Sequence, residues 1–240
     1  MTGALQSIVF DFDGVIADSE PLHFRAFQRT LADEGIELTA AEYFARYLGY
    51  DDVGLLQTLA ADRGLPMDAS RLSGLLTRKG DRLQDMLKGG HVLFPGAVDF
   101  IRSAAAEVPI AIASGALRRE IEEVTDAAGI GDLFTLIVAA GDTPHSKPSP
   151  APYLLAFEQL QLHTEHDLDP RRCVAIEDSQ WGLDSARGAG LRCVGVTNSY
   201  EASALRGAEL VVTGLDVLTL AALDYLCATD ANAATHAHHA

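Results

Sequence analysis

The strongest chemical signal in the chain is a pair of carboxylates, Asp11 and Asp13, that are separated by one residue. They follow the apolar run 8–10 and are followed by Gly14. The run is typical of a buried strand, and ligands in open α/β sheets bind at the carboxyl ends of the strands, so both acids are expected to face a cleft. Aspartate and glycine are also common turn residues, so the motif alone leaves a purely structural turn open.

Three later strand-like runs end in residues that could handle a phosphoryl group or a metal. Ser114 and Gly115 follow the second run, Lys147 lies in a proline-rich loop after the third, and Glu177 and Asp178 follow the fourth. Each also has an ordinary structural explanation. Ser114 could cap a helix, Lys147 could be a solvated loop residue, and the two acids could lie at a helix N-terminus, where the helix dipole favours negative charge. Their joint occurrence at consecutive strand ends favours one shared site.

The elements that would position these residues alternate along the chain. Strand-like runs separated by helical periodicity indicate an α/β fold with a doubly wound, Rossmann-like parallel sheet. The predicted strands are 8–10, 110–113, 136–139, 173–176, 193–196 and, as a sixth, 210–212, and the predicted helices are 98–107, 118–128, 152–161 and 182–189.

One region interrupts this alternation with helical periodicity alone, from residue 20 to about residue 88, in roughly four helices. A helical block inserted after the first strand predicts a cap. The predicted organisation is a catalytic core of residues 1–18 and 95–227, an α-helical cap of residues 19–94, and a small, polar tail of residues 228–240 that we expect to be disordered. The histidines of that tail could bind metal weakly, but a tail without a function is favoured.

Composition excludes several kinds of partner. The chain carries 18 basic and 34 acidic residues and a net charge of −16. Such a surface repels nucleic acid and anionic membranes, and a phosphate site must therefore supply its own positive charge. The three cysteines show no metal-binding spacing, and no apolar run is long enough to cross a membrane. A cytoplasmic location and a monomeric state are the expectations.

The motifs DFDGVIADS, ASG, SKPSP and IEDS occur in that order, and the chain that carries them resembles the haloacid dehalogenase superfamily. The resemblance spans residues 8–213 and is strongest to the helical-cap branch of β-phosphoglucomutase, phosphoglycolate phosphatase and sugar-phosphate phosphatases. It implies a Mg²⁺-dependent phosphomonoester hydrolase that acts on a small phosphorylated sugar or acid through an aspartyl-phosphate.

The resemblance also implies residue roles. Asp11 would be the nucleophile and Asp13 the general acid and base. Asp11, the backbone carbonyl of Asp13 and Asp178 would hold Mg²⁺, with Glu177 at the metal or just behind it. The residues expected to bind the phosphoryl oxygens are Ser114, Gly115 and Lys147.

The choice between hydrolase and mutase depends on residues of the helical block and on one residue of the core, Leu117. The candidate substrate residues of the helical block are His23, Gly49 and Lys79. Mutases of this branch carry an arginine after the position of Gly49 and a lysine after that of Ser114, whereas this chain has Asp51 and Asp52 at the first and Leu117 at the second. A hydrolase is therefore favoured, with a β-phosphoglucomutase-like mutase as the alternative. A non-catalytic binding protein of the same fold is the alternative from another class.

Overall fold

The computed structural model describes residues 3–48, 50–87, 92–164 and 167–229. These residues form two compact units. One unit combines Met1–Asp18 with Val92–Ala240, and the other comprises Ser19–His91. Within the described residues, no helix is both long enough and apolar enough to cross a membrane.

A six-stranded sheet, parallel throughout, forms the centre of the first unit. Its strand order is β3-β2-β1-β4-β5-β6, so the chain winds outward in both directions from the middle. Strands buried on both faces are expected to be apolar along their whole length, which explains their continuous hydrophobic runs. The strands are β1 (Ser7–Phe10), β2 (Ile110–Ala113), β3 (Leu136–Val138), β4 (Cys173–Glu177), β5 (Arg192–Val196) and β6 (Leu210–Val212).

The second unit is helical over residues 19–48 and 50–87, and no strand occurs in these ranges. Its own core includes Phe27, Leu31, Tyr47 and Leu56, so it packs as a small helical body. A π-helical turn, Tyr43–Tyr47, follows the second helix. The helices are α1 (Glu20–Ala32), α2 (Ala40–Glu42), α3 (Asp52–Asp62) and α4 (Ala69–Leu87).

Five further helices belong to the sheet unit. Helices α7 and α8 pack on the sheet face that carries Val9 and Ala175. Phe10 points to the opposite face, where its ring meets Phe100 of α5 and Phe134 edge-on at centroid distances of 6.1 and 6.2 Å. This layering confirms the predicted fold class. The helices are α5 (Ala97–Ala105), α6 (Arg118–Ala127), α7 (Ala151–His163), α8 (Gln180–Gly188) and α9 (Leu220–Ala228).

Helix α9 lies outside the predicted elements. Its last residue, Ala228, is the first residue of the predicted tail, so the tail prediction is wrong at that residue. The tail residues 230–240 lie outside the described residues.

The strand register determines where the chemical residues lie. Phe10 pairs with Ile112 of β2 and with Ile176 of β4, so these three strands end at the same level. The ladder continues one residue further, because the Asp11 N–H donates to the Ile176 carbonyl at 3.0 Å. Strand order reverses between β1 and β4, and open α/β sheets bind ligands at such a switch point.

Gly96, which precedes α5, provides a test of the packing. It has φ +77°, and a Cβ there would lie 2.5 Å from the Asp216 Cα. Gly141 has φ +91° with open space around it. The left-handed conformation alone costs alanine about 1–2 kcal/mol, so we expect Gly141→Ala to lose about that much stability and Gly96→Ala clearly more. Urea unfolding of both variants measures the difference, and equal losses would contradict the close packing.

Candidate active site

Three buried carboxylates meet at the switch point of the sheet. Oxygen atoms of Asp11, at the end of β1, and of Glu177 and Asp178, at the end of β4, lie within 4.8 Å of one another. The adjacent parallel strands β1 and β4 place these side chains together because their last residues are in register. Carboxylates so close and so buried repel each other unless a cation joins them.

Lys147 supplies positive charge to this cluster. Its Nζ lies 2.9 Å from Asp11 Oδ1 and 2.6 Å from Glu177 Oε1. Asp11 Oδ1 also accepts a hydrogen bond from the Phe12 N–H at 2.7 Å. One ammonium thus bridges the ends of two strands. Its single positive charge is smaller than the negative charge of the three carboxylates.

The pKa values reflect this excess of negative charge. Burial, followed by the charges of Asp11 and Glu177, holds the pKa of Asp178 well above its ordinary value. Burial and the charge of Asp11 likewise raise the pKa of Glu177. Burial by itself would lower the pKa of Lys147, but the two carboxylates beside it outweigh burial and raise that pKa, so the lysine stays charged.

The loop after β1 approaches the cluster very closely. Gly14 has φ +76°, and a Cβ there would lie 1.9 Å from Asp178 Oδ2, so only glycine leaves room for that carboxylate. Asn198, which follows β5, donates from its side-chain amide to the Gly14 carbonyl at 2.8 Å. Asp13 lies in this loop and is half-buried.

The predicted phosphate-binding residues of β2 lie at the same edge of the sheet. Ser114 is buried, and its Oγ accepts a hydrogen bond from the Ala116 N–H at 3.1 Å. Gly115 is exposed and has no heavy atom within 4 Å of the position of a Cβ, so the space beside it is open. Their part in binding phosphate stays a prediction.

In the helical unit the structure joins two of the three candidate substrate residues. Lys79 Nζ lies 3.0 Å from His23 Nδ1 and 2.7 and 2.9 Å from the carboxylate oxygens of Asp52. Burial and the Lys79 charge lower the pKa of His23 to about 3. His23 is therefore neutral, Nδ1 accepts from the ammonium, and Nε2 carries the proton. Gly49 lies outside the described residues.

Sequence reasoning missed several residues that support the cluster. Tyr153 of α7 donates its hydroxyl to Glu177 Oε1 at 2.7 Å, and Ser199 donates a hydrogen bond to Asp178. Ser199 and its neighbour Asn198 follow the fifth predicted strand, so the rule applied to the other four strand ends could have found them. Tyr153 carried no such signal, because it is one of many apolar positions of a predicted helix.

The doubly wound parallel sheet is a Rossmann-like fold, and acids and a lysine lie together at its switch point. The model of the haloacid dehalogenase-like hydrolases matches residues 5–190, and the chain belongs to this family. The predicted family and the prediction of a hydrolase are confirmed.

Curated relatives cover most of the chain. Protein CbbY of Rhodobacter capsulatus is 33% identical over 205 residues, which are 82% of this chain and 87% of that protein. The fructose-1-phosphate phosphatase YqaB of Escherichia coli K12 is 27% identical over 189 residues, or 79% of this chain and 95% of YqaB.

Solved structures share the fold. CbbY from Rhodobacter sphaeroides in complex with phosphate has a TM-score of 0.80 at 29% identity, covering 92% of this chain and 99% of CbbY. β-Phosphoglucomutase from Clostridium difficile has the same TM-score at 21% identity, covering 95% of this chain and 99% of its own, and supports the fold alone.

The raised pKa of Asp178 predicts an unusual pH dependence for the metal-free protein. A carboxyl group whose pKa is higher when folded binds its proton more tightly in the folded state, so folding weakens as pH rises from the unfolded value, about 3.9, toward the raised one. Asparagine imitates the protonated acid. We therefore expect Asp178→Asn to be more stable than the wild type at neutral pH with EDTA present, and to lose that advantage near pH 4.

Thermal unfolding across this pH range measures the effect, with Asp99→Asn as the control because Asp99 is exposed on α5 of the same unit. An Asp178→Asn variant less stable than the wild type at every pH would show that the carboxylate is not under electrostatic strain.

Proposed function

We propose that the chain is a Mg²⁺-dependent phosphomonoester hydrolase that acts on a small phosphorylated sugar or acid through an aspartyl-phosphate. The observation that carries this proposal is the position of Lys147 between Asp11 and Glu177, with Asp178 beside them. A nucleophilic carboxylate and a fixed cation share one edge of the sheet, as phosphoryl transfer requires. The cytoplasmic location and the monomeric state remain predictions.

The donor set of the cluster fits magnesium. Mg²⁺ prefers oxygen ligands, and Asp11, Glu177 and Asp178 offer three carboxylate oxygens whose charge Lys147 only partly balances. The raised pKa values of Glu177 and Asp178 have the same origin, a shortage of positive charge. Asp11, Asp178 and the backbone carbonyl of Asp13 would hold the ion, with Glu177 at it or just behind it. When bound, the ion would offset the repulsion between the negative charges of the phosphate and the attacking carboxylate.

The residues of the chain would then perform two displacements. A carboxylate oxygen of Asp11 attacks phosphorus, and the ester P–O bond breaks as Asp13 gives its proton to the leaving oxygen. Asp13 next takes a proton from water, whose oxygen attacks phosphorus and releases the Asp11 carboxylate with inorganic phosphate. Lys147, Ser114 and the backbone at Gly115 would hold the phosphoryl oxygens while charge redistributes.

We further propose that the helical unit acts as the cap and selects the substrate through His23, Lys79 and Gly49. Asp52 already balances the charge of Lys79, which favours a substrate whose remaining part is uncharged over one with a second phosphate. Asp51 has a separate task, because its Oδ1 accepts the Gly54 N–H at 2.6 Å and so caps α3.

The relatives support phosphatase activity but differ in substrate. YqaB is a fructose-1-phosphate phosphatase, and two Yersinia relatives at 25% identity are phosphoglycolate phosphatases. A mutant of the Rhodobacter sphaeroides CbbY has been solved in complex with xylulose-(1,5)bisphosphate, at 28% identity to this chain. The balanced charge of Lys79 favours a sugar monophosphate over the bisphosphate and over phosphoglycolate, whose carboxylate is a second anionic group. The mutase stays the alternative.

The first test is release of inorganic phosphate from a panel of phosphomonoesters with Mg²⁺. The panel contains fructose 1-phosphate, phosphoglycolate, β-glucose 1-phosphate and a sugar bisphosphate. We expect Asp11→Asn to lower turnover by roughly a thousandfold or more, because the reaction loses its nucleophile. Asp99→Asn, the matched removal of an exposed carboxylate, should keep full activity.

The same panel separates the alternatives. Isomerisation of β-glucose 1-phosphate without net phosphate release would identify a mutase. With neither activity, the melting temperature is measured with Mg²⁺ and then with added BeF₃⁻, and no shift with either would favour a binding protein.

The role of Asp52 has its own test. Asp52→Asn removes the charge that balances Lys79, so we expect kcat/KM for the bisphosphate, relative to that for a monophosphate, to rise about tenfold, as a charge-assisted contact to phosphate predicts. Asp81→Asn is the control, because Asp81 is an exposed acid on the same helix as Lys79. The ratio cancels any common loss of stability. A ratio that changes equally in both variants, or in neither, would contradict the proposal.

A further inference from the structure

Tyr153 is a fully buried side chain of α7 that contacts the acidic cluster. Its ring packs with the core formed by α7, α8 and one face of the sheet, which includes Val9 and Leu183. A buried tyrosine hydroxyl needs a hydrogen-bond partner, and here the partner is the Glu177 carboxylate, at 2.7 Å from Oε1. An otherwise apolar residue of the core thus contacts the proposed site through one polar atom.

The same side chain also contacts Lys147. The Lys147 ammonium lies 5.0 Å from the centroid of the Tyr153 ring, within the range of a cation–π interaction. An ammonium has three N–H donors, and Asp11 and Glu177 take two of them. The direction of the third is therefore set by the two carboxylates and by the ring.

Glu177 is confined from its other side by α8. A Cβ at Gly182 would lie 1.8 Å from Glu177 Oε2, so the carboxylate rests against the backbone of the first turn of this helix. The Ser179 hydroxyl lies 3.3 Å from the same oxygen and can donate to it. Tyr153 and Gly182 together leave this buried carboxylate little freedom to move.

We propose that Tyr153 is a positioning residue for phosphate binding. Its hydroxyl fixes Glu177 and its ring supports the ammonium, so that the remaining N–H of Lys147 is aimed at the bound phosphoryl group. This inference rests on the proposed role of Lys147 in binding phosphate.

The test is the dissociation constant of inorganic phosphate, measured by calorimetry with Mg²⁺ and again with EDTA, at a temperature where every variant is folded. Tyr153→Phe removes the hydroxyl and keeps the ring. We expect it to weaken phosphate binding by up to about tenfold, because the free energy of the one hydrogen bond that fixes Glu177 is the upper bound of the effect. Tyr153→Leu removes both contacts and should weaken binding further. Tyr225→Phe, which deletes an exposed hydroxyl on α9, should change nothing.

Two further variants keep the outcome decisive. Gly182→Ala displaces Glu177 from the opposite side and should also weaken phosphate binding. For each variant, KM and kcat of phosphate release are measured separately. Lys147→Met tests the underlying proposal. If it leaves phosphate affinity unchanged, the proposed function and this inference both fail. If Lys147→Met weakens binding while Tyr153→Phe only lowers the melting temperature, Tyr153 is a core residue and the inference alone is overturned.

Discussion

Three carboxylates are buried around a single ammonium in the sheet unit, and this crowding of like charge is the constraint that the surrounding structure accommodates. Asp11, Glu177 and Asp178 lie at the one point where the strand order reverses, and Lys147 ties two of them together. Burying like charges costs free energy unless an opposite charge is near, and here one cation faces three anions. The Mg²⁺ ion that we propose would supply the missing positive charge.

Close approach of the backbone makes this crowding possible. Gly14 and Gly182 stand where any Cβ would overlap Asp178 or Glu177, so the loop after β1 and the first turn of α8 both press against the carboxylates. Residues 198 and 199, after β5, hold the loop and the Asp178 carboxylate from a further strand end. The cluster and the residues that contact it thus follow four strands, β1, β3, β4 and β5, and two glycines bring main chain against its carboxylates.

The fold was predictable from the sequence because strands buried on both faces are continuous apolar runs and their ends share one edge. Lys147 was predictable as a site residue by the same rule. The contacts of Tyr153 and Asp52 were not, because pairing across the fold depends on side-chain direction, which residue spacing does not encode. Helix α9 continues the alternation of strands and helices after β6, although its weakly periodic apolar residues do not by themselves indicate a helix. The roles of the site residues stay predictions, and Gly49 lies outside the described residues.

The central claim is that Asp11 carries the phosphoryl group during turnover. Acid quenching within milliseconds of mixing with a labelled phosphomonoester, followed by mass mapping of peptides, tests it directly. The account predicts a phosphorylated carboxylate at Asp11 that appears before inorganic phosphate and decays at least as fast as turnover. Phosphate release with no covalent label, or with the label on another residue, would contradict it.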